Sequence, residues 1–328
     1  MILDGRSPDA VEQAAQRLAA GELVAFPTET VYGLGADASR DEAVAKIFAA
    51  KGRPSDHPLI VHVPDAGQAT RFAAEVPPVA QRLMQAFWPG PLTLILPRRP
   101  DAGAAAAGGQ ASIGLRCPAH PVAHALLLAC ARAGVPGLAA PSANKFGRVS
   151  ATSAQHVEAE FGSALLVLDG GACPVGIESS IVDCTRAAPV LLRPGILTHA
   201  QIEAACGQRL LLPAELPDAQ PRASGTLESH YAPNAKLRLM DAKMLQTALD
   251  VLGEDAPRIA VYSRAAVRAR SEKVLRRRMP ADAAEVARQL FAVLREFDAA
   301  GVQLIWVEQP PEAPEWDGVR DRLRRAAA

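Results

Sequence analysis

Short apolar runs limit this chain more than anything else in it. LVAF (23–26), LIVHV (59–63), LTLIL (92–96), ASIGLRC (111–117), ALLVLD (164–169) and SSIVDC (179–184) are strand-length and too short for buried helices. Helical patterns lie between several of them. Ser7 and Pro8 form a helix start, Val11, Ala14, Ala15 and Leu18 follow at helical spacing, and Gly21 is a stop. Residues 41–50, 76–87 and 120–134 read as further helices, the second ending before the Pro89-Gly90-Pro91 turn. GLAAPSAN (137–144) reads as a short strand entering a polar turn, and the Ala/Gly-rich stretch 100–109 as a surface loop. Some strands follow one another with no helix between. The expected fold is therefore α/β, a twisted mixed open sheet with helices, rather than a strictly parallel one.

Composition changes between Leu210 and Pro233, which are rich in Pro, Ala and Ser. Beyond lie KLRLM, a helix over 242–252, RIAVYS, a helix over 281–300 and VQLIWVE, the β-α-β order of a smaller Rossmann-like α/β domain without G-x-G-x-x-G. The expected organisation is 1–208, a linker over 209–233, and 234–328. The chain carries 35 basic and 35 acidic side chains, which argues against coating nucleic acid by bulk charge. From Asn234 on there are 17 basic and 14 acidic side chains, too small an excess to imply RNA binding. Aromatics, at 4%, are too few for a base-stacking platform. The five cysteines form no C-x-x-C pair, so they read as reduced thiols rather than a zinc site or disulfide framework. No signal-like or membrane-length apolar run occurs, and a cytoplasmic protein is expected.

Polar residues gather where strands end. FPTETVYGLGADA places Thr28, Glu29, Thr30 and Tyr32 after a buried strand, with Gly33 and Gly35 next. K-G-R puts Lys51 and Arg53 on either side of a glycine, where two cations can converge on a polyanion. GLRCPAHP ends a strand with Arg116, which either reaches the surface or pairs with an acidic group. APSANKFGRVSATS offers Ser142, Asn144, Ser150 and Thr152; GIESSIVD, LLRPG and HYAP add Ser180, Arg193, His230 and Tyr231. Each segment alone could be an ordinary turn. Together they suit a phosphate-rich ligand that also bears a carboxylate. No P-loop, G-x-S-x-G or H-E-x-x-H sequence is present.

In this order, PTETVYGLG, K-G-R, WPGPLTLIL, GLRCPAHP, APSAN, GIESSIVD and LLRPG resemble the YrdC-type threonylcarbamoyl-AMP synthases. The domain beyond the linker makes the chain similar to their long two-domain form. The resemblance implies a YrdC-like α/β catalytic domain that condenses L-threonine with bicarbonate or CO2. The carbamate then attacks the α-phosphate of ATP, with Mg²⁺ on the phosphates and no direct protein ligand to the metal. The threonylcarbamoyl-AMP would go to a separate transferase complex that modifies tRNA next to the anticodon. Weak or no direct tRNA binding and no membrane contact are expected. By the same resemblance Lys51 and Arg53 are catalytic. His57, Ser112, Ser142, Asn144, Ser150, Arg193, His230 and Tyr231 would join Arg53 in contacting ATP, and Thr30, His62, Arg116, Ala140 and Ser180 would contact threonine. The linker would fold over the active site. Its ASGTLESHYAP (223–233) keeps Gly225, His230, Tyr231, Ala232 and Pro233 of the family pattern but lacks the Ser-Pro, Met and first Tyr. Two other readings remain: a carbamoyl-adenylate enzyme of the same fold, and a non-catalytic RNA-binding module.

Overall fold

The K-G-R segment shows how local chemistry shapes this chain. Helix α2 (Asp41–Lys51) stops because Gly52 takes a left-handed φ of 65°, which a side chain disfavours, and Arg53 N–H then bonds back to Phe48 O at 3.0 Å. The chain thus reverses between the two cations. The computed structural model describes residues 1–216, 222–227 and 229–328, so positions 217–221 and 228 of the expected linker lie outside the described residues. The described chain divides into two units, one of 1–146 and 150–226, the other of 147–149 and 227–328.

The larger unit contains β1 (Ile2–Asp4), β2 (Val24–Phe26), β3 (Gly33–Asp37), β4 (Ile60–His62), β5 (Leu92–Pro97), β6 (Ser112–Arg116), β7 (Leu138–Ala139), β8 (Leu166–Asp169), β9 (Ser180–Asp183) and β10 (Val190–Arg193). Besides α2, its helices are α1 (Pro8–Ala19), α3 (Pro78–Phe87), α4 (Pro121–Arg132), α5 (Ala154–Phe161) and α6 (His199–Cys206). The strands form one mixed sheet in the order β1-β8-β2-β3-β7-β4-β6-β5-β9-β10. Residues paired across strands share a face, so register sorts the side chains. Val61, Leu92, Leu94, Leu96, Ile113, Leu115 and Val182 point into the main core with residues of α2, α3 and α6. On the other face Val24, Phe26, Leu138 and Ala140 pack under α1 and α4. Beyond β7 that second face loses its helices. Ile60, Ile95, Ile181, Val190 and Leu192 pack instead against Leu211, Leu216 and Ala223, chain that follows α6.

Two stretches differ from the sequence reading. GLGAD, which reads as a glycine turn, is β3: a Cβ on Gly35 would stand 2.8 Å from the Phe26 ring, so this glycine serves close packing within a strand. Residues 100–109 are irregular but not a surface loop. Ala106 and Ala107 are fully buried, and Ala106 O accepts from Leu59 N–H at 2.7 Å.

The smaller unit contains β11 (Lys236–Met240), α7 (Ala242–Leu252), β12 (Ile259–Ser263), β13 (Val274–Arg278), α8 (Ala283–Ala299), β14 (Leu304–Glu308) and α9 (Asp317–Ala326). Its sheet is wholly parallel, in the order β11-β14-β12-β13. Asp241 and Asp282 cap α7 and α8 by accepting Met244 and Glu285 N–H at 2.7 and 2.8 Å.

Candidate active site

The second face of the large sheet carries polar groups where the first carries Leu and Val. His62 of β4 pairs with Arg116 of β6, and the Leu94–Leu115 register sets Thr93 of β5 opposite Arg116. Thr93 pairs with Ile181 of β9, which in turn pairs with Arg193 of β10. A row of His62, Arg116, Thr93 and Arg193, with Ile181 between the last two, therefore crosses the sheet from β4 to β10. Gly114 and Ser112 lie on the same face of β6 as Arg116, Ser112 half-buried at its start.

Arg116 is buried and does not reach the surface. It donates to Glu29 Oε1 at 2.5 Å, to Thr30 Oγ1 at 2.9 Å and to Gly90 O at 3.2 Å. The other Glu29 oxygen accepts Ala119 N–H at 3.1 Å, and Thr28 Oγ1 lies 2.9 Å from Thr30 Oγ1. The β2–β3 loop thus brings Thr30 to Arg116. His62 Nδ1 and Ser180 Oγ are buried without a hydrogen-bond partner among the described residues, an arrangement that costs about 1–3 kcal/mol per group unless a ligand supplies one. Burial, and then the Arg116 charge, push the His62 pKa down to about 3. Ala140, also buried, lines the approach between β7 and Gly33 of β3.

A second group surrounds the end of α2. Lys51 Nζ donates to Ser142 O at 2.6 Å and to Asn144 O, leaving its third proton without a partner among the described residues. Burial, then repulsion from Arg53, hold its pKa well below the ordinary lysine value. Arg53 donates to Pro58 O at 2.8 Å, and its guanidinium lies 5.6 Å from the Phe146 ring centre. The His57 ring meets the same phenyl edge-on at 5.4 Å, and burial followed by Arg53 lowers its pKa. Ser142 is half-buried beside Gly33, through an isolated bridge, while buried Asn144 donates to Lys145 O at 2.8 Å. Ser150 donates to the Glu178 carboxylate. Arg193 grips Ser179 O through Nε and Nη2 at 3.0 and 2.8 Å and reaches Ser224 O at 2.7 Å.

Sequence reasoning does not reach Glu178, Ser179, Thr93 or Phe146 as members of this site, nor Glu29 as the counter-charge of Arg116. The one signal available is chemical, since a strand-end arginine among apolar neighbours requires a carboxylate somewhere. Tyr32 is not a ligand group: its hydroxyl donates to Gly171 O at 2.8 Å and accepts Gly170 N–H at 3.2 Å. His230 and Tyr231 belong to the smaller unit. There Tyr231, at a φ of 62°, stacks on Phe291 with ring centres 5.5 Å apart, and His230 meets its ring edge-on at 4.1 Å. Among the described residues no three His, Cys, Asp or Glu side chains converge as a metal site. The larger unit thus sets Arg116, Thr93 and Arg193 on one sheet face and Lys51 and Arg53 at the end of α2, with Arg116 suited to a carboxylate and Lys51, Arg53 and Arg193 to phosphates.

The family profile described as Telomere recombination matches residues 16–195, and that described as Threonylcarbamoyl-AMP synthase, C-terminal domain, matches 197–328. A Threonylcarbamoyl-AMP synthase of Bacillus subtilis is 40% identical over 327 residues, covering 97% of this chain and 92% of its own length. One from Pyrococcus abyssi is 38% identical over 323 residues, covering 96% and 93%. The crystal structure of P. abyssi Sua5 complexed with L-threonine superposes with a TM-score of 0.89 at 36% identity, covering 100% of this chain and 97% of that one.

Proposed function

The chain belongs to the threonylcarbamoyl-AMP synthases in their long two-domain form, and from that premise we propose how its residues divide the reaction. The enzyme converts L-threonine, bicarbonate or CO2, and ATP into threonylcarbamoyl-AMP and pyrophosphate for tRNA modification. The threonine amine forms a C–N bond to CO2, its proton leaving to solvent. A carbamate oxygen then bonds to the α-phosphorus as the bond to the β-phosphate oxygen breaks and pyrophosphate departs.

Arg116, preset by Glu29, takes the threonine carboxylate through its remaining N–H groups. Thr30, Ser180, His62 and Ala140 shape the pocket for the amino acid, and the vacant hydrogen-bonding capacity of Ser180 and His62 supports this. Lys51 and Arg53 offset the negative charge as carbamate and triphosphate approach each other. His57, Ser112, Ser142, Asn144, Ser150 and Arg193 hold the nucleotide, with His230 and Tyr231 assigned to it from the linker. Mg²⁺ would come with ATP as part of the substrate and would offset charge on its phosphates. The product passes to a separate tRNA threonylcarbamoyl transferase complex in the cytoplasm. No described helix is long and apolar enough to cross a membrane.

One observation carries the catalytic assignment. Lys51 is buried beside a second cation with one donor unused, and an anion is what such a desolvated pair requires. The test is pyrophosphate release with each amino acid supplied in turn. Release should require threonine, bicarbonate and Mg²⁺ together. Lys51→Ala and Arg53→Ala should each lower it by about 10²–10³-fold, the usual cost of one preorganised donor, with unchanged circular dichroism. Wild-type turnover in both variants would remove the assignment, and release without an amino acid would point to carbamoyl-adenylate chemistry.

A further inference from the structure

The charge totals of the smaller unit hide a concentration. Residues 268–278 carry Arg268, Arg270, Lys273, Arg276, Arg277 and Arg278 against the single carboxylate of Glu272. With these set aside, the chain from Asn234 on holds 11 basic and 13 acidic side chains, so its whole positive excess resides in this strip. All six cations are exposed, and none lies within ion-pair distance of a carboxylate among the described residues. Arg264, just before the strip, behaves differently: it is paired with Glu308 at 2.7 Å.

The fold presents the strip in two pieces, the strand β13 and the loop before it. β13 is an edge strand, paired only with β12, in the register Val261–Arg276, Tyr262–Arg277 and Ser263–Arg278. Arg276 and Arg278 therefore project from one face and Arg277 from the other. Arg276 Nη1 reaches nothing nearer than Val267 O at 3.4 Å. The preceding loop is tied to α7 by Gln246, which accepts Arg268 N–H at 2.9 Å and donates to Arg268 O at 3.1 Å. Val267 and Ala269 pack against the core of the unit, so the exposed Arg268 and Arg270 alternate with them and face solvent.

We propose that this strip is a binding surface for a nucleic-acid phosphate backbone. Five of its six cations are arginines, whose planar forks match phosphate oxygens. No large apolar side chain is exposed between 264 and 278, whereas a protein partner needs apolar or aromatic anchors. Without exposed rings the surface does not stack bases, so it grips backbone irrespective of sequence. Charges on an edge strand also deter strand addition, but Arg268, Arg270 and Lys273 lie off the strand, where edge protection has no use. The neutral total of the chain, read alone, argues for little RNA contact; its distribution argues for a local one.

The experiment is fluorescence anisotropy of the full chain with labelled RNA and DNA hairpins of one sequence, between about 50 and 200 mM salt. Wild type should bind both, with affinity falling steeply as salt rises. Arg276→Gln/Arg277→Gln/Arg278→Gln and, separately, Arg268→Gln/Arg270→Gln/Lys273→Gln should each flatten the log–log salt slope by roughly 2–3, at about 0.7–0.9 for each phosphate no longer neutralised. Both should keep threonine-dependent pyrophosphate release. Arg6→Gln/Arg17→Gln/Arg132→Gln, an equal charge change in the larger unit, should bind as wild type does. Binding to one hairpin only would assign the source of the backbone. The proposal fails if wild type binds neither hairpin at low salt, if the strip variants bind like wild type, or if the control loses as much. It fails also if polyglutamate or anionic vesicles displace the hairpins at lower charge concentration, since the strip would then serve an acidic protein or a lipid surface.

Discussion

Removing the Glu29 carboxylate leaves a guanidinium buried without its counter-charge. The Arg116 and Glu29 side chains are 4% and 9% exposed and lie 2.5 Å apart, so little water is at hand to compensate. Glu29→Ala also strands the Ala119 N–H that the second carboxylate oxygen accepts. Breaking a buried pair from one side costs about 3–5 kcal/mol, much of it the penalty on the charge left behind. A loss of about 4 kcal/mol lowers Tm by roughly 8–16 °C in a unit of this size, at about 2–4 °C per kcal/mol. Glu29→Leu/Arg116→Met removes both charges and should recover most of that stability, because apolar replacement of a buried pair is often neutral or stabilising. The assay is a double-mutant cycle in thermal unfolding, followed on the transition of the larger unit, with pyrophosphate release measured in parallel. Threonine-dependent release should stay lost in the double variant although stability returns, since Arg116 is the carboxylate partner. Glu29→Ala melting within about 2 °C of wild type, or a double variant as unstable as the sum of the single ones, would refute the account of Arg116 as a desolvated, preset cation.

His62 provides a pH test. The unfolded chain protonates this imidazole near 6.5, whereas the folded chain resists down to about 3, so stability falls as pH drops through that window. Between pH 7.5 and 5 the loss is about 2 kcal/mol, and urea titrations should show His62→Gln spared that amount; equal losses would mean the folded protein protonates His62 readily. Tyr32→Phe should cost about 1–3 kcal/mol in stability with pyrophosphate release within twofold of wild type, and lost turnover at unchanged Tm would contradict a structural role. Arg193→Lys keeps the charge but cannot span Ser179 O and Ser224 O, so exposed Arg222 should be cut by trypsin several-fold faster. Unchanged cleavage would mean that residues 222–227 are held by other contacts.

How much of this arrangement is legible depends on what makes each element fold. β2, β4, β5, β6, β8 and β9 are recognisable because buried strands must be apolar, and Ser7 and Asp41 mark helix starts by ordinary end chemistry. β13 escapes the apolar pattern for the opposite reason: an edge strand need bury little, and VLRRR carries three consecutive arginines. α6 escapes it although Thr198 and Gln201 form a capping box, because its apolar stripe is short. The Arg116–Glu29 pair spans 87 residues of sequence and leaves no periodic trace, so only the order β2-β3-β7-β4-β6 brings the partners together.

Parity along the strands is the more informative signal. In LTLIL and SIGLR, Thr93, Ile95, Ser112, Gly114 and Arg116 fall on one face and Leu92, Leu94, Ile113 and Leu115 on the other. A run that looks uniformly apolar in composition is thus two-sided, one side core and the other site. The same distinction separates the arginines. Arg116 and Arg193 are buried at strand ends and held by a carboxylate or by carbonyl oxygens, which leaves each committed to one geometry. Arg276, Arg277 and Arg278 end a strand too, but they are exposed and within ion-pair distance of no carboxylate among the described residues. A strand-end arginine becomes part of a pocket when neighbouring chain covers it, as the segment carrying Ser224 covers Arg193 on the edge strand β10, and part of a surface when it stays exposed. Net charge, which sums the two kinds together, is blind to both.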